Sequence, residues 1–211
     1  MNATPIPRNA TVLLSAVIAL LWVVVALVGA DERAAVLMGF VPARLTGLID
    51  ISPAVPVILM PLTATLVHGG LFHVGFNLLI FLWCGTMVER SLGTGPLLLL
   101  FAVGAYVSAM AQWAFDPAAM VPMIGASGAI SAIIGAYSLS FGKPKQFVNS
   151  RGLNRALNAV WLLAAWIALQ LMTAFVAGEE GMLLATPAHI GGFIAGLLME
   201  RPLLMWRYRR A

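Results

Sequence analysis

Three short stretches hold nearly all the residues of this chain that could do chemistry. Ser127 stands between glycines in GASG, residues 125–128. His189 lies in TPAHIGGFIAG, residues 186–196, and His68, His73 and Asn77 fall in HGGLFHVGFN, residues 68–77. A serine hydroxyl is a weak nucleophile until a base takes its proton, and a neutral histidine is the usual base. The oxyanion formed by its attack then needs preorganised donors. His73 and Asn77 are four apart, hence on one helix face, and both carry side-chain donors. If Ser127 opens a helix, its backbone N–H and the positive end of the helix dipole lie at the same spot.

The same residues also suit plain helix packing. Ser127, Ser131 and Gly135 recur every four positions with Gly128 and Ala132 beside them, and Gly192 with Gly196 makes a GxxxG face. Small faces of this kind let membrane helices approach closely. His189 is three residues before Gly192 and seven before Gly196, so it shares that face. If the two small faces meet, His189 lands beside Ser127. The histidines and Asn77 taken alone fit interhelical hydrogen bonding equally well.

The elements that must position these groups are membrane helices. Of 211 residues, 61% are hydrophobic and 9% charged, with mean hydropathy +0.96. A soluble domain carries about 25% charged residues. So little charge cannot cover a globular surface and excludes nucleic acid as a partner. Cys84 is the only cysteine, which rules out an internal disulfide. The first apolar run, about 20 residues, is long enough to stay as a span rather than leave as a cleaved signal. Apolar runs predict six spans, at 11–30, 71–88, 96–114, 126–142, 157–177 and 186–206. Pro53, Pro56 and Pro61 argue against a further straight span in 51–67, which reads as part of a long loop, 31–70, lying partly in the membrane interface. Residues 1–10 form a short leading segment and 207–211 a basic tail.

With six spans, ten basic residues fall on the side of the termini: Arg8, Arg90, Lys143, Lys145, Arg151, Arg155, Arg201, Arg207, Arg209 and Arg210. Only Arg33 and Arg44 fall on the other. Both termini are therefore expected in the cytoplasm. Ser127, His189 and the 68–77 group then all open spans from the outer side, at one depth, from three distant segments. No acid shares that depth, so a Ser–His dyad is expected rather than a triad.

GASG, the HxxxxHxxxN pattern at 68–77 and AHIGGFIAG at 188–196 together resemble the rhomboid intramembrane serine proteases, over six spans in the right order. The resemblance implies an all-α, six-helix bundle that cleaves membrane-spanning substrates near the outer leaflet without a cofactor. It implies Ser127 as nucleophile, His189 as general base, and His73, Asn77 and the Ser127 backbone N–H as oxyanion hole. His68 matches a polar position at the mouth of the site. Gly125, Gly128, Gly192 and Gly196 would be structural, and Glu89-Arg90 a structural pair closing span 2. It also implies that spans 2 and 5 part for substrate, with 178–185 as a mobile cap. Two positions depart from the pattern. Some rhomboids place an aromatic four residues after the nucleophile, against the catalytic histidine, where this chain has Ser131. Loop 31–70 has Pro42-Ala43-Arg44 in place of a Trp-Arg pair found in some members.

Rival readings fit less well. An inactive helix-binding relative would typically have lost Ser127 or His189. A zinc protease would need an HExxH or a carboxylate near the histidines, and neither exists, so no metal is expected. A transporter would show internal repeats. Cys84, Met172, Met182, Trp161 and Trp166 read as core or lipid-facing filler, and Trp206 and Tyr208 as an interfacial anchor. Lipid and transmembrane proteins are the expected partners, and a bacterial inner membrane the expected location.

Overall fold

The computed structural model describes residues 10–141, 148–177 and 185–209. Among them the chain is helical throughout: α1 Ala10–Leu27, α2 Asp31–Met38, α3 Pro42–Thr46, α4 Val57–Leu66, α5 Leu71–Leu92, α6 Thr94–Phe115, α7 Ser127–Ser140, α8 Arg151–Ala177 and α9 Thr186–Tyr208. A helix occupies each of the six places where a span was expected. α1, α5, α6 and the Arg151–Met172 part of α8 are long and apolar enough to cross a membrane. α7 has 14 residues, about 21 Å at 1.5 Å per residue. α9 has 23 but carries Glu200, Arg201 and Arg207 in its second half.

The segment read as loop 31–70 is more ordered than expected, since it holds three short helices. Prolines start two of them. Pro42 starts α3, and Pro61 sits in the first turn of the α-helical part of α4, Met60–Thr63. Proline suits that position because its missing N–H has no partner to lose there, whereas mid-helix it breaks the ladder. Arg44 is buried, with its guanidinium donating to the Val55 carbonyl at 2.9 Å and to Met60 Sδ at 3.2 Å. In place of a Trp-Arg pair, this arginine ties α3 to the approach of α4.

Apolar side chains cover the outside of the bundle. Leu13, Leu20 and Leu27 of α1 are 65%, 66% and 81% exposed, an arrangement suited to lipid rather than water. At the centre, α7 is buried along most of its length by α6, α8 and α9. α7 and α9 approach at backbone distance. A Cβ on Gly196 would overlap the Ala132 carbonyl oxygen, and one on Gly135 would overlap that of Phe193. α6 joins through Gly104, where a Cβ would come within 2.6 Å of that of Ala132.

Glu89 is held differently from the expected pair with Arg90. Its carboxylate accepts from the Ala10 and Thr11 backbone N–H groups at 3.1 and 3.0 Å, and from the Thr11 and Thr94 hydroxyls at 2.6 and 2.9 Å. A carboxylate at a helix start satisfies N–H groups that the helix itself cannot pair, and it opposes the dipole. Arg90 instead offers its carbonyl to the Arg207 guanidinium at 2.9 Å, which links the end of α5 to the end of α9.

Gly196→Leu tests the α7–α9 seam. The new side chain must displace the Ala132 backbone, and overpacking typically costs about 1–3 kcal/mol. Thermal unfolding in detergent should show a lowered midpoint and activity should fall with it, whereas an unchanged midpoint would mean that this face does not carry the seam.

Candidate active site

The segment leading into α7 is clipped on one side by the 31–70 region. Phe40 and Met123 exchange both backbone hydrogen bonds, at 2.9 and 2.8 Å, and the Gly125 N–H donates to the Ala64 carbonyl at 2.9 Å. The next N–H, of Ala126, donates to His68 Nε2 at 3.2 Å. Three successive anchors therefore fix the backbone just before Ser127. His68 acts here from the chain between α4 and α5, where Gly69 and Gly70 delay the helix.

The His68 ring must be neutral to accept that bond. Burial, reinforced by the charge His73 would carry, pushes its pKa down to about 3. A histidine held below its ordinary value stabilises the fold fully above about pH 6.5, the unfolded value, and that contribution fades as pH falls toward 3.

Gly125 has φ +105°, and a Cβ there would come within 2.6 Å of His73 Nε2. Only glycine adopts this backbone at little cost and leaves the imidazole its space. His73 also meets His68 edge to face, ring centroids 5.0 Å apart. One turn along α5, Asn77 is fully buried, and its amide donates to the His73 carbonyl at 2.8 Å. A primary amide has a second N–H still to give.

Ser127 is the first residue of α7, and no side chain caps that end. Its hydroxyl lies 2.9 Å from His189 Nε2, which projects from the first turn of α9. Both are buried, at 7% and 3% exposure. Gly192 sets the approach of the two helices here, and Gly128 that of α6. A Cβ on Gly192 would overlap the Gly128 carbonyl oxygen, and one on Gly128 would come within 2.7 Å of the Ser108 side chain. Thus Ser127, His189, His68 and His73, with Gly125, Gly128 and Gly192, converge on the N-terminal end of α7, while Asn77 follows one turn behind His73 and Gly196 meets α7 further along, at Ala132.

Other residues join them that the sequence reading missed. Ser108 and Gln112, one turn apart on α6, are buried, and Ser108 Oγ and Gln112 Oε1 find no hydrogen-bond partner among the described residues. Ser108 lines a narrow cleft with Thr65, Gly125, Ser127, Ala185 and His189. Gln112 lines an adjoining apolar cavity of about 290 Å³ with Pro42, Phe115, Met120, Met123 and Ala185. Polar residues four apart on an otherwise apolar helix were the available signal. Trp166, expected as lipid- or helix-facing filler, faces a helix and adds a hydrogen bond: it is buried and donates from Nε1 to Ser131 Oγ at 2.8 Å. Trp161 fits the lipid-facing expectation at 65% exposed, and Cys84 is buried in the core. Met182 and most of the expected cap, residues 178–184, lie outside the described residues.

A family model for the Rhomboid domain matches residues 58–206. The chain belongs to the rhomboid family. Its rhomboid relatives include the rhomboid protease GlpG of Serratia proteamaculans, 33% identical over 134 residues, which are 63% of this chain and 43% of that protein. GlpG of Pectobacterium atrosepticum is 33% identical over 135 residues, 64% of this chain and 44% of that protein. Rhomboid protease GluP of Bacillus subtilis is 31% identical over 136 residues, 64% of this chain and 24% of that protein. The chain thus matches less than half the length of each. Membership, together with four helices among the described residues that are long and apolar enough to cross a membrane, makes this an integral membrane protein of the rhomboid type.

Two variants test the geometry around Ser127. Gly125→Ala adds a methyl against His73 in a strained backbone, and activity should fall by about 10-fold or more, since small misplacements of catalytic groups cost up to about 10²-fold. Equal activity would show that the His73–Gly125 contact is slack. His68→Gln keeps an acceptor but cannot titrate. Between pH 7 and 5 its unfolding midpoint should drop less than that of the unsubstituted protein, and parallel curves would remove His68 from the acid response.

Proposed function

We propose that this protein is an intramembrane serine endopeptidase that hydrolyses peptide bonds in or near transmembrane segments of other membrane proteins. The observation that carries this reading is the 2.9 Å contact between Ser127 Oγ and His189 Nε2, buried at the open N-terminus of α7. An inactive, helix-binding role is less favoured because both members of the pair are present and in contact.

In the first step His189 Nε2 accepts the Ser127 proton as Oγ bonds to the scissile carbonyl carbon. The negative charge that develops on the carbonyl oxygen faces the Ser127 backbone N–H, the His73 ring and the second N–H of Asn77. Oriented donors in a site shielded from bulk water stabilise such charge far more than water-exposed ones. Collapse breaks the C–N bond, and His189 passes its proton to the leaving amine. Water then attacks the acyl ester on Ser127 and gives its proton to His189, which passes it to Ser127 Oγ as the ester C–O bond breaks and the carboxylic acid leaves. Ser108 and Gln112 offer two buried oxygen atoms that would hold such a water beside the cleft. Every step is proton transfer and acyl exchange among this chain's own side chains, so the reaction calls for no metal or cofactor.

The topology belongs to the same proposal: six spans with both termini in the cytoplasm and the site opening toward the outer leaflet. The arginine-rich ends of α5, α8 and α9 support that orientation, and bacterial relatives support a bacterial inner membrane. Substrate would enter sideways between α5 and α8.

The test is cleavage of a transmembrane reporter by purified protein in detergent or lipid, alongside labelling by a fluorophosphonate. In that labelling the Ser127 Oγ–P bond forms, fluoride leaves and the proton passes to His189. Ser127→Ala should abolish both activities, and His189→Ala should come close. Asn77→Ala and His73→Ala should each lose about 10²–10³ in rate while other donors remain, and chelators should change nothing. A folded Ser127→Ala protein that still cuts at the original rate would end the proposal.

A further inference from the structure

A histidine that serves as base must keep its ring in one orientation. In a triad a carboxylate does this, and no carboxylate residue lies near His189 in the sequence. Around the dyad, three contacts form a connected chain. The Trp166 indole N–H donates to Ser131 Oγ at 2.8 Å, and the Ser131 hydroxyl donates to the Ser127 carbonyl at 2.7 Å. The Trp166 ring meets the His189 ring nearly at right angles, 73°, with centroids 6.3 Å apart. Indole N–H can only donate, whereas a hydroxyl both donates and accepts. The chain therefore runs in one direction and leaves no group of the three unmatched. One tryptophan from α8 touches the base with its ring and the helical turn of the nucleophile through its nitrogen.

Hydrophobicity alone does not put it there. Trp161, five residues earlier on α8, is 65% exposed, whereas Trp166 is 3% exposed. The two tryptophans lie on different faces of α8, and on the inner face Ser131 gives the Trp166 indole both room and an acceptor. Edge-to-face aromatic contacts fix relative ring orientation as well as adding about 0.5–1.5 kcal/mol.

We infer that Trp166, pinned by Ser131, is a positioning residue that holds the His189 imidazole in line with Ser127. The inference rests on the serine-protease reading. It gives α8 a part in the chemistry, since the helix that supplies the tryptophan also packs against α5.

The experiment is fluorophosphonate labelling of the purified full chain in detergent, at several probe concentrations, to separate the maximal labelling rate from probe affinity. Trp166→Phe keeps a ring and loses the N–H, Ser131→Ala loses the acceptor, and Trp166→Leu loses the ring. The first two should each slow the maximal rate by about 3–10-fold and the third by about 10–100-fold, with affinity within about twofold of the unsubstituted protein. Trp166→Phe and Ser131→Ala remove the same hydrogen bond, so their combination should be no slower than the slower single variant. Thermal unfolding of Trp166→Phe, the conservative change, should stay near that of the parent. Labelling by Trp166→Leu at the parental rate, a loss confined to affinity, or fully additive losses in the double variant would each overturn the inference alone. A parent protein that does not label at all would overturn the protease reading and this inference with it.

Discussion

Everything at the site depends on how closely two backbones can lie. α7 and α9 are separated by less than a side chain: Gly135, Gly192 and Gly196 stand where a Cβ would enter the backbone of the facing helix. In lipid, no hydrophobic drive pushes helices together, so such contact is stabilised by dispersion and complementary shape. The separation that suits packing is also the one that lets a hydroxyl on one helix and an imidazole on the other meet at 2.9 Å. Stability and geometry are here the same quantity. A looser seam would leave both helices in place and the dyad out of reach.

Around that seam, polar groups are held by backbone rather than by charge. Ala126 gives its N–H to His68, Asn77 gives to the carbonyl of His73, and Ser131 gives to that of Ser127. A buried polar group without a partner costs about 1–3 kcal/mol, so each of these bonds constrains a side chain that would otherwise be expensive to bury. The carboxylate of Glu89 works the same way at the far end, where it gathers the start of α1 and Thr94 around the end of α5.

Much of this was legible in the chain itself. Ser127, His189, His73 and Asn77 stand out because polar residues are rare in so apolar a sequence, and their spacing assigns each to a helix face. The helices appear where hydropathy places them. Trp166 was not legible, because its role depends on a neighbour in another helix, and a tryptophan in an apolar run looks the same facing lipid or histidine. The partners of Glu89 were missed for a similar reason: pairing it with adjacent Arg90 ignores the helix start 78 positions away in sequence. Helices α3 and α4 are hard to read because a proline in an apolar run looks like a breaker, although at a first turn it is a starter. Ser108 and Gln112 are spaced by one turn but carry no distinctive motif.

The shortness of α7 has a meaning for the solvent. At about 21 Å it falls several ångströms short of a hydrocarbon layer about 30 Å thick. A lone helix of that length would force the bilayer to thin around it. Here α6, α8 and α9 stand between α7 and lipid, so the shortfall is not met by acyl chains. At the N-terminal end of the helix lies a narrow cleft lined by the hydroxyls of Thr65, Ser108 and Ser127 and the imidazole of His189. In the proposed reaction each bond cut consumes one water, and a helix that stops early inside a ring of longer ones would bring the N-terminus of α7 within reach of it.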